Sequence, residues 1–432
     1  MNPITDTGMA VELALDIGST VIKLARLNRH GGLASQEFFP RDFKSSVARQ
    51  VAEILGSRNI DIARESIRVC SSANGGLRVG IVCLSPLFSG AALRNQVLLA
   101  GANPAYVDGF DSPSANQRPV DVLLVGGGID GDDPGPAAGL LASFKPELYR
   151  FGTLVYCGNR QLAPAFQARF PSAKVIDNPL GETLSNRVGS VFETIRRAYL
   201  DDLVFKEGVS ELPMPLAATV RPTPEVASRG FLRSVNSQGS FTIVGSCLAL
   251  DIGGATTDLH YTVECVDAAS PERPASGVSV ARYVFTDLGI VASRDTLMLQ
   301  LRSHPKLYEL LASVLGGPQT REAYAALREG EYEPSPQLLS YACLFLALDR
   351  FSTGRGPGLP TGDLGKVAQI ILTGGAAQTL DEAVVASMLT LLLPAGTQPP
   401  LVQVDLQYEI WVAGINWTEG LSPLQADTGA AP

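Results

Sequence analysis

The chain has 432 residues, of which 45% are hydrophobic and 18% are charged, and its formal net charge is −9 at pH 7. This composition is typical of a globular protein with more than one hydrophobic core, and it excludes an intrinsically disordered chain. The acidic balance and the lack of a Lys/Arg run argue against a protein that binds duplex nucleic acid, which usually needs a basic face.

The N-terminal segment, residues 11–39, predicts three short strands with the sequences VELALD, VIKLARLN and LASQEFF. Turns that contain glycine separate them, so the pattern is that of a β-meander. A helical pattern follows at residues 45–57. We therefore expect a small sheet and one helix at the beginning of the chain.

Between residues 66 and 200, short apolar runs alternate with helical patterns. This alternation predicts a mostly parallel sheet with helices on both faces. The strongest local pattern is DVLLVGGGIDGDD, residues 121–133, in which a buried strand ends in three glycines. Such a loop either binds a ligand or forms a plain tight turn, and the sequence leaves both interpretations open.

The meander is repeated at residues 248–286, and helices are predicted from 290 to 352. The segment KVAQIILTGGAA predicts a strand with a glycine turn. It is followed by one helix, EAVVASMLTLLL, and two short strands, LVQVDL and IWVAGI. The pattern strand–DIG loop–strand–strand thus occurs once in each half of the chain, with Asp16 and Asp251 235 positions apart. This spacing indicates a duplicated domain rather than a solenoid repeat.

The repeat suggests five regions. They are a first half at residues 1–65, an inserted α/β region at 66–200, a connector at 201–245, a second half at 246–420 and a loose tail at 421–432. Six scattered cysteines without a CxxC pair and three dispersed histidines predict no zinc site and no disulfide framework. Without a secretory signal pattern or an apolar run of membrane-spanning length, we expect a soluble cytoplasmic protein.

The two loops contain residue types that suit a bound phosphate. Their glycines allow backbone N–H groups to approach an anion, and their hydroxyls add donors. These residues are Gly18, Ser19, Thr20, Gly253, Gly254, Thr256 and Thr257. The carboxylates of Asp16 and Asp251 would hold a hydrated Mg²⁺, and Lys23 would reach a phosphate as a point charge. One such loop is commonly a plain turn, but two matched loops and the turn at Gly374 and Gly375 together predict a nucleotide site.

These motifs resemble those of the actin, sugar-kinase and heat-shock-chaperone ATPases. DIGSTVIK is similar to their first phosphate loop, DIGGATTD to their second and IILTGGAA to their adenosine turn. The resemblance implies an α/β fold with two duplicated ribonuclease-H-like halves around a nucleotide cleft, and an additional α/β segment in the middle. It also implies ATP and Mg²⁺ as cofactors, with Asp251 and Asp258 in catalytic positions. For Asp258, a role as a carboxylate that caps the hairpin is an equal alternative.

A narrower resemblance extends over most of the chain. The segments SSANGGL, DVLLVGGGIDG, VYCGNR, RPTPEV, FTDLGI and DLGKVAQIILTGG are similar to those of the MutL-type (GlmL) accessory proteins of glutamate mutase. The resemblance implies an ATP-dependent factor that reactivates an adenosylcobalamin-dependent mutase by exchanging inactive cobalamin. The implied partner is a mutase subunit rather than nucleic acid or a membrane, and the oligomeric state is left open.

Two other functions fit the same fold. A small-molecule kinase would need an additional aspartate as general base, for which Asp130, Asp132 and Asp133 are candidates, although a solvated acidic turn is the simpler interpretation. An actin-like scaffold would need a surface for self-association, which the sequence does not reveal. His260, on the second strand of the second hairpin, is expected to be an ordinary packed or surface residue and not a catalytic base.

Overall fold

The computed structural model describes residues 13–18, 20–28, 31–42, 44–72, 77–110, 119–180, 190–206, 211–235, 243–270, 280–291, 293–356 and 359–415. Ser19, most of SSANGGL and the tail at 421–432 lie outside these ranges. The described residues form two compact units. Unit 1 comprises residues 13–72, 199–235 and 407–415, and unit 2 comprises residues 77–198 and 243–406, in each case without the gaps given above.

Unit 1 contains a five-stranded sheet in the order β10-β4-β1-β2-β3. Its strands are β1 (Leu13–Ile17), β2 (Val21–Leu27), β3 (Leu33–Pro40), β4 (Ile67–Ser71) and β10 (Arg221–Pro222). The first three strands form the predicted antiparallel meander, whereas β4 and β10 pair in parallel. The helices assigned wholly to this unit are α1 (Val47–Ser57), α6 (Met214–Ala217), α7 (Thr223–Val235) and α13 (Glu409–Ile415).

Unit 2 contains a second sheet, in the order β13-β12-β11-β14-β15. Its strands are β11 (Cys247–Ile252), β12 (Thr257–Thr262), β13 (Val280–Phe285), β14 (Gln369–Thr373) and β15 (Leu401–Val404). Both sheets thus have the order third–second–first–fourth–fifth, with an antiparallel meander and two further parallel strands. This order is that of a ribonuclease-H-like half, so the predicted duplication is confirmed.

Helices of the second half pack against the second sheet and build its core. They are α8 (Arg294–Ser303), α9 (Leu307–Leu315), α10 (Gln319–Glu329), α11 (Pro336–Thr353) and α12 (Glu382–Leu389). The helix α11 is apolar on nearly all sides and is buried along most of its length, which explains why its sequence shows little amphipathic pattern. No helix in the described ranges is long and apolar enough to cross a membrane.

The third sheet of the molecule also belongs to unit 2, and all its strands are parallel. Its order is β6-β5-β7-β8-β9, with β5 (Arg78–Cys83), β6 (Asn103–Gly109), β7 (Val120–Gly126), β8 (Phe151–Tyr156) and β9 (Lys174–Val175). The helices of this region are α2 (Ser89–Leu99), α3 (Gly135–Ser143), α4 (Ala163–Arg169) and the long α5 (Ser190–Lys206). The predicted parallel sheet in the middle of the chain is therefore confirmed.

Two segments differ from the sequence-based prediction. The strand β4 pairs with β1 instead of joining the middle sheet. The connector at 201–245, which was predicted to return to the core, contributes β10 and α7 to unit 1. IWVAGI was predicted as a strand, but it lies in the helix α13, which packs on α7. A short apolar run has no periodicity that separates a strand from a buried helix, so this prediction was wrong for a physical reason.

The helices α7 and α13 cross at a pair of glycines. A Cβ atom at Gly230 would lie 1.7 Å from the carbonyl oxygen of Ile410, and one at Gly414 would lie 1.8 Å from that of Val226. The two backbones are therefore closer than any side chain allows, and each glycine is required by the other helix.

We expect Gly230→Ala to lower the free energy of unfolding by about 1–3 kcal/mol, because the added methyl group forces the two helices apart. Helix propensity alone would make the alanine variant more stable than the parent protein. A lower free energy of unfolding would therefore show that the close packing of the two helices dominates. Urea unfolding measures it. Gly139→Ala in α3 is the matched control, since its Cβ would meet no atom within 4 Å and the variant should be as stable as the parent protein or more so. Equal effects at the two positions would contradict the close crossing.

Candidate functional site

Asp16 ends β1 and is 1% exposed. Its carboxylate accepts hydrogen bonds from Lys23 Nζ at 2.8 Å, from Thr223 Oγ1 at 2.7 Å and from Cys70 Sγ at 3.3 Å. Burial raises the pKa of Cys70 well above its usual value, so the thiol remains protonated and can donate. Thr223 begins α7, whose N-terminal dipole also favours a negative charge. These three donors hold the Asp16 carboxylate in one orientation inside unit 1.

The first hairpin turn follows Asp16 directly. Gly18 N donates to Val21 O at 3.0 Å, and a Cβ at Gly18 would lie 2.6 Å from that oxygen. Arg41 binds the opposite side of the turn, donating to Gly18 O from its guanidinium at 3.1 Å and to Thr20 O from its backbone N–H at 2.8 Å. Thr20 has an exposed side chain. The turn therefore has the tight geometry that the glycine predicts.

Lys23 lies directly opposite Asp16 in the β1–β2 pairing. Besides its bond to Asp16, its ammonium group lies 4.7 Å from the ring centre of Tyr408 and 6.0 Å from that of Trp411. Cation–π contacts of this kind stabilise a lysine without fixing a single donor direction. The predicted phosphate-binding lysine thus lies beside the first hairpin, in contact with Asp16 and two aromatic rings.

Asp251 ends β11 and lies next to two other strand ends. The register places it opposite Asp258 on β12 and beside Thr373 at the end of β14. Gly374, with φ +88°, follows immediately, and a Cβ there would lie 2.1 Å from Oδ1 of Asp251. Only glycine can occupy this position without displacing the carboxylate. The second hairpin and the predicted adenosine turn therefore meet at the same edge of the sheet.

The carbonyl groups in the loop of the second hairpin all accept hydrogen bonds from the same neighbouring segment. Three consecutive carbonyls, at residues 253–255, accept hydrogen bonds from the segment that follows β13. The bonds are Ile290 N to Gly253 O at 3.3 Å, Val291 N to Gly254 O at 2.8 Å and Ser293 Oγ to Ala255 O at 2.6 Å. In a trans peptide unit the N–H points away from the C=O. The amides of residues 254–256 are therefore directed away from this segment, in the manner of an anion-binding cradle.

The segment that holds the loop is itself anchored. Asp287 accepts two hydrogen bonds from Arg350, at 2.9 and 2.7 Å, and one from Gln300 at 2.9 Å. Burial by itself would raise the pKa of Asp287, but the bonds from Arg350 and Gln300 lower it below its usual value. Gly289 allows the close approach, since a Cβ there would lie 2.4 Å from the carbonyl carbon of Ala255. Family resemblance drew attention to residues 287–289, whereas sequence reasoning missed Ser293 and Arg350.

Two residues predicted for the site have other partners. Thr257 is fully buried and its hydroxyl donates to Leu288 O at 2.9 Å, so it holds the loop in place. Asp258 pairs with Arg282, whose Nε donates to it at 2.8 Å. Arg282 is 2% exposed and also donates to Leu98 O, at the end of α2, at 2.8 Å. These contacts give Asp258 a structural role in joining the hairpin to the middle region.

His260 is buried next to this ion pair. Burial, and to a lesser extent the charge of Arg282, lower the pKa of His260 to about 3, so it is neutral at physiological pH. A histidine with so low a pKa is a poor general base near neutral pH. Of the two predicted environments for His260, packed or surface, the structure shows the packed one, since the residue is 2% exposed.

The glycine turn after β14 is stabilised from behind. Thr373 Oγ1 donates to the buried Asp405 at 3.0 Å, and Ala376 N donates to Ile252 O at 3.3 Å. Gly375 is exposed at the tip of the turn. The exposed backbone at this position is suited to a flat ligand group lying across it.

The three aspartates considered for a kinase lie in the middle region. Asp130 is buried and accepts from Arg160 N at 2.9 Å, and Asp133 accepts from Gly135 N at 2.9 Å at the start of α3. Asp132 is exposed. Asp130 and Asp133 thus stabilise their own loop, which favours the structural interpretation over that of a general base.

The donors suit a magnesium–phosphate group better than a metal ion held by the protein alone. In the described ranges, no group of three or more His, Cys, Asp or Glu residues could hold a metal ion. Mg²⁺ usually keeps several waters and binds through one or two carboxylates together with phosphate oxygens. Asp16 lies at the hairpin of unit 1 and Asp251 at that of unit 2, and the amides of residues 254–256 are suited to a phosphate.

A family model described as MutL protein matches residues 12–415 of the chain. Protein MutL of Clostridium tetanomorphum is 24% identical over 286 residues, which span 62% of this chain and 60% of that relative. Nucleotide-free acetone carboxylase is similar over 94% of this chain and 69% of its own, with 11% identity and a TM-score of 0.39. The activator of 2-hydroxyisocaproyl-CoA dehydratase from Clostridium difficile, with bound ADPNP, is similar over 94% and 91%, with 9% identity and a TM-score of 0.32. The two structural similarities carry no information on activity or partner.

Proposed function

This chain belongs to the MutL family, and we propose that it is an ATP-dependent factor that reactivates an adenosylcobalamin-dependent mutase such as glutamate mutase. The observation that supports ATP binding most strongly is the loop at residues 253–255, whose carbonyls are all held on one side. Such an arrangement offers successive amides to an anion and needs no further rearrangement. The matched hairpin at Asp16, with Lys23 beside it, supports a second set of phosphate contacts.

Each residue of the two hairpins has a proposed task. The amides of residues 254–256 and the Lys23 ammonium would bind the β- and γ-phosphates, and Gly374 and Gly375 would lie against the adenosine. Asp16 and Asp251 would hold Mg²⁺, which supplies charge stabilisation at the phosphates when it is bound. Phosphoryl transfer to water needs positioning and charge stabilisation and no covalent protein intermediate. On binding ATP, the Lys23 ammonium would turn from the Asp16 carboxylate to a phosphate and would keep its contacts with the rings of Tyr408 and Trp411.

The proposed cycle uses the difference between ATP and ADP. A ligand shifts a conformational equilibrium only through its different affinities for the two states. Loss of the γ-phosphate removes contacts at the loop of residues 253–256 and at Lys23, so hydrolysis would change the preferred conformation. If one conformation binds a mutase that holds damaged cobalamin, hydrolysis gives the release step its direction.

The direct test is a reactivation assay. Glutamate mutase inactivated with hydroxocobalamin would be incubated with this protein, Mg²⁺, adenosylcobalamin and either ATP or a non-hydrolysable analogue. We expect mutase activity to return only with ATP. Return of activity without nucleotide, or no return under any condition, would contradict the proposal. An ATP-dependent increase in light scattering by the protein alone would instead indicate an actin-like filament.

Nucleotide binding can be tested without a partner. At a hundredfold excess over its dissociation constant, Mg-ATP should stabilise the native state by about 2.7 kcal/mol, because it binds the folded protein and not the unfolded chain. The midpoint of thermal unfolding should rise with Mg-ATP and Mg-ADP, and Mg²⁺ alone serves as the control. No shift at millimolar nucleotide would count against both hairpins as a binding site.

A further inference from the structure

The parallel sheet of unit 2 contains a point at which its strand order reverses. From β5 the chain moves to β6 on one side, and from β6 it passes back to β7 on the other side of β5. The connection after β5 leads towards β6, and the connection after β7 leads in the opposite direction, towards β8. Because such connections are right-handed, their helices lie on opposite faces of the sheet, so the loops after β5 and β7 diverge. In open α/β sheets, ligands characteristically bind at the carboxyl ends of the strands at such a position.

The loop after β7 presents amides at this point. The carbonyls of Gly127, Gly128 and Ile129 accept hydrogen bonds from Asn159 N at 2.9 Å, Asn178 Nδ2 at 3.0 Å and Asn159 Nδ2 at 2.7 Å, respectively. Both asparagines lie beyond β8, on the side of β7 opposite β5. By the trans geometry of the peptide unit, the amides of Gly128 and Ile129 point towards the β5 side, where the crevice opens. Gly128 has φ +75°, as one residue of an anion-binding nest requires.

The facing loop, after β5, carries apolar side chains. Leu87 and Phe88 are 58% and 49% exposed, which is unusual for two adjacent large apolar residues just before a helix. The two loops are in contact at their base, where Leu84 N donates to Gly126 O at 3.2 Å and a Cβ at Gly127 would lie 2.5 Å from that of Leu84. The loop after β7 thus has amides directed to one side, and the loop after β5 has an exposed aromatic ring that could stack on a planar group.

Two of the three acidic residues in the loop have hydrogen-bond partners. Asp130 accepts from Arg160 N at 2.9 Å and from Asn178 Nδ2 at 3.3 Å, and Asp133 caps the start of α3 through Gly135 N. These two carboxylates are thus engaged by other donors, and the third, Asp132, is exposed. Asn159 and Asn178 are 1% and 4% exposed, so the arrangement is rigidly built.

We propose that this crevice binds a phosphate ester carried by a planar heterocycle, with the phosphate on the amides of Gly128 and Ile129 and the ring against Phe88. The site is separate in sequence and fold from the two hairpins, and the proposal is independent of the partner enzyme. Its chemistry fits a free nucleotide such as flavin mononucleotide, and equally the nucleotide tail of a corrinoid, which also joins a phosphate to a planar base.

The test uses two pairs of probes that differ in the proposed group. Flavin mononucleotide is compared with riboflavin, which lacks the phosphate, and hydroxocobalamin with cobinamide, which lacks the nucleotide tail. Titration calorimetry on the full chain should show binding of the first member of at least one pair, and binding of the second member should be at least tenfold weaker. Binding of the flavin pair alone would indicate a free nucleotide, and of the cobalamin pair alone a corrinoid.

Two variants locate the binding. Phe88→Ala should weaken it about tenfold, the size expected for loss of one stacking partner, whereas Leu299→Ala, at an exposed apolar position on α8, should not. Gly128→Ala should abolish binding, because a Cβ is strained at that φ and would lie 3.2 Å from that of Asn159, whereas Gly139→Ala should not. A cooperative thermal unfolding transition without ligand shows that each variant is folded. Failure of all four probes to bind, equal binding within both pairs, or full binding by Phe88→Ala would overturn the proposal.

Discussion

Replacing Asp251 by asparagine is expected to lower ATP turnover by about 10²–10³-fold, which corresponds to roughly 2.7–4 kcal/mol of lost transition-state stabilisation. The substitution is nearly isosteric, and the side chain keeps its place against Gly374, where a Cβ atom would lie 2.1 Å from Oδ1 of Asp251. The fold should therefore persist while the charge that would position Mg²⁺ is lost. ATP affinity should change much less than turnover, because the amides of residues 254–256 remain in place.

The measurement is steady-state phosphate release, together with an ATP titration that gives affinity separately. Asp201→Asn, at an exposed position on α5, is the matched control and should leave both quantities unchanged. In the reactivation assay, the Asp251 variant should bind the inactivated mutase without restoring it. Restoration at the rate of the parent protein would show that hydrolysis is not coupled to release, even if the nucleotide site is correct.

The second large effect is on stability. Asp258→Asn should lower the free energy of unfolding by about 3–5 kcal/mol, because it leaves the charge of Arg282 without its partner in a position that is only 2% exposed. Arg282 also binds the end of α2 through Leu98 O, so the damage should extend to the middle region. Urea unfolding measures the loss, and hydrogen exchange of α2 locates it.

Two control variants test whether the loss of stability comes from leaving a buried charge without its partner. Glu37→Gln breaks the Arg58–Glu37 pair, whose side chains are 37% and 39% exposed, and should cost no more than about 1 kcal/mol. The double variant Asp258→Leu with Arg282→Met should recover much of the lost stability, because two apolar groups replace the ion pair. If Asp258→Asn instead leaves stability unchanged and abolishes turnover, Asp258 acts in catalysis and not as a structural partner.

The sequence predicted the positions of the two hairpin turns, but it did not predict the hydrogen bonds and ion pairs that hold the hairpins in place. DIGST and DIGGATT predict the turns because glycine and aspartate have strong local preferences there, and the alternating strands around them set the register. The ion pair of Asp258 with Arg282 and the anchoring of Asp287 by Arg350 join residues far apart in the chain. No local pattern encodes such pairs, so the sequence did not reveal that Asp258 pairs with Arg282 or that Thr257 donates to Leu288 O. The roles predicted for Asp258 and Thr257 at the ligand stay predictions.

The same limit applies to the fold. The strand β4 follows the helix α1 closely in sequence and precedes the middle sheet, so its apolar run was assigned to the next region. Only the pairing of β4 with β1, which the structure shows, assigns this strand to the sheet of unit 1. IWVAGI was misassigned because it lies in a short helix that is buried on most sides against α7. In so short an apolar run, the period of a strand (two residues) cannot be distinguished from that of a helix (3.6 residues).

The glycine crossing of α7 and α13 also determines when unit 1 can be completed during synthesis. Its first strands precede the whole middle sheet, α7 follows that sheet, and α13 is made only after the second sheet. Until then the glycine face of α7 is uncovered and Tyr408 and Trp411 cannot cover Lys23. Contacts over such sequence distances slow folding and prolong the exposure of apolar surface. We expect the parallel middle sheet to form before unit 1 is completed, and the glycine face of α7 to stay exposed until residues 409–415 are made.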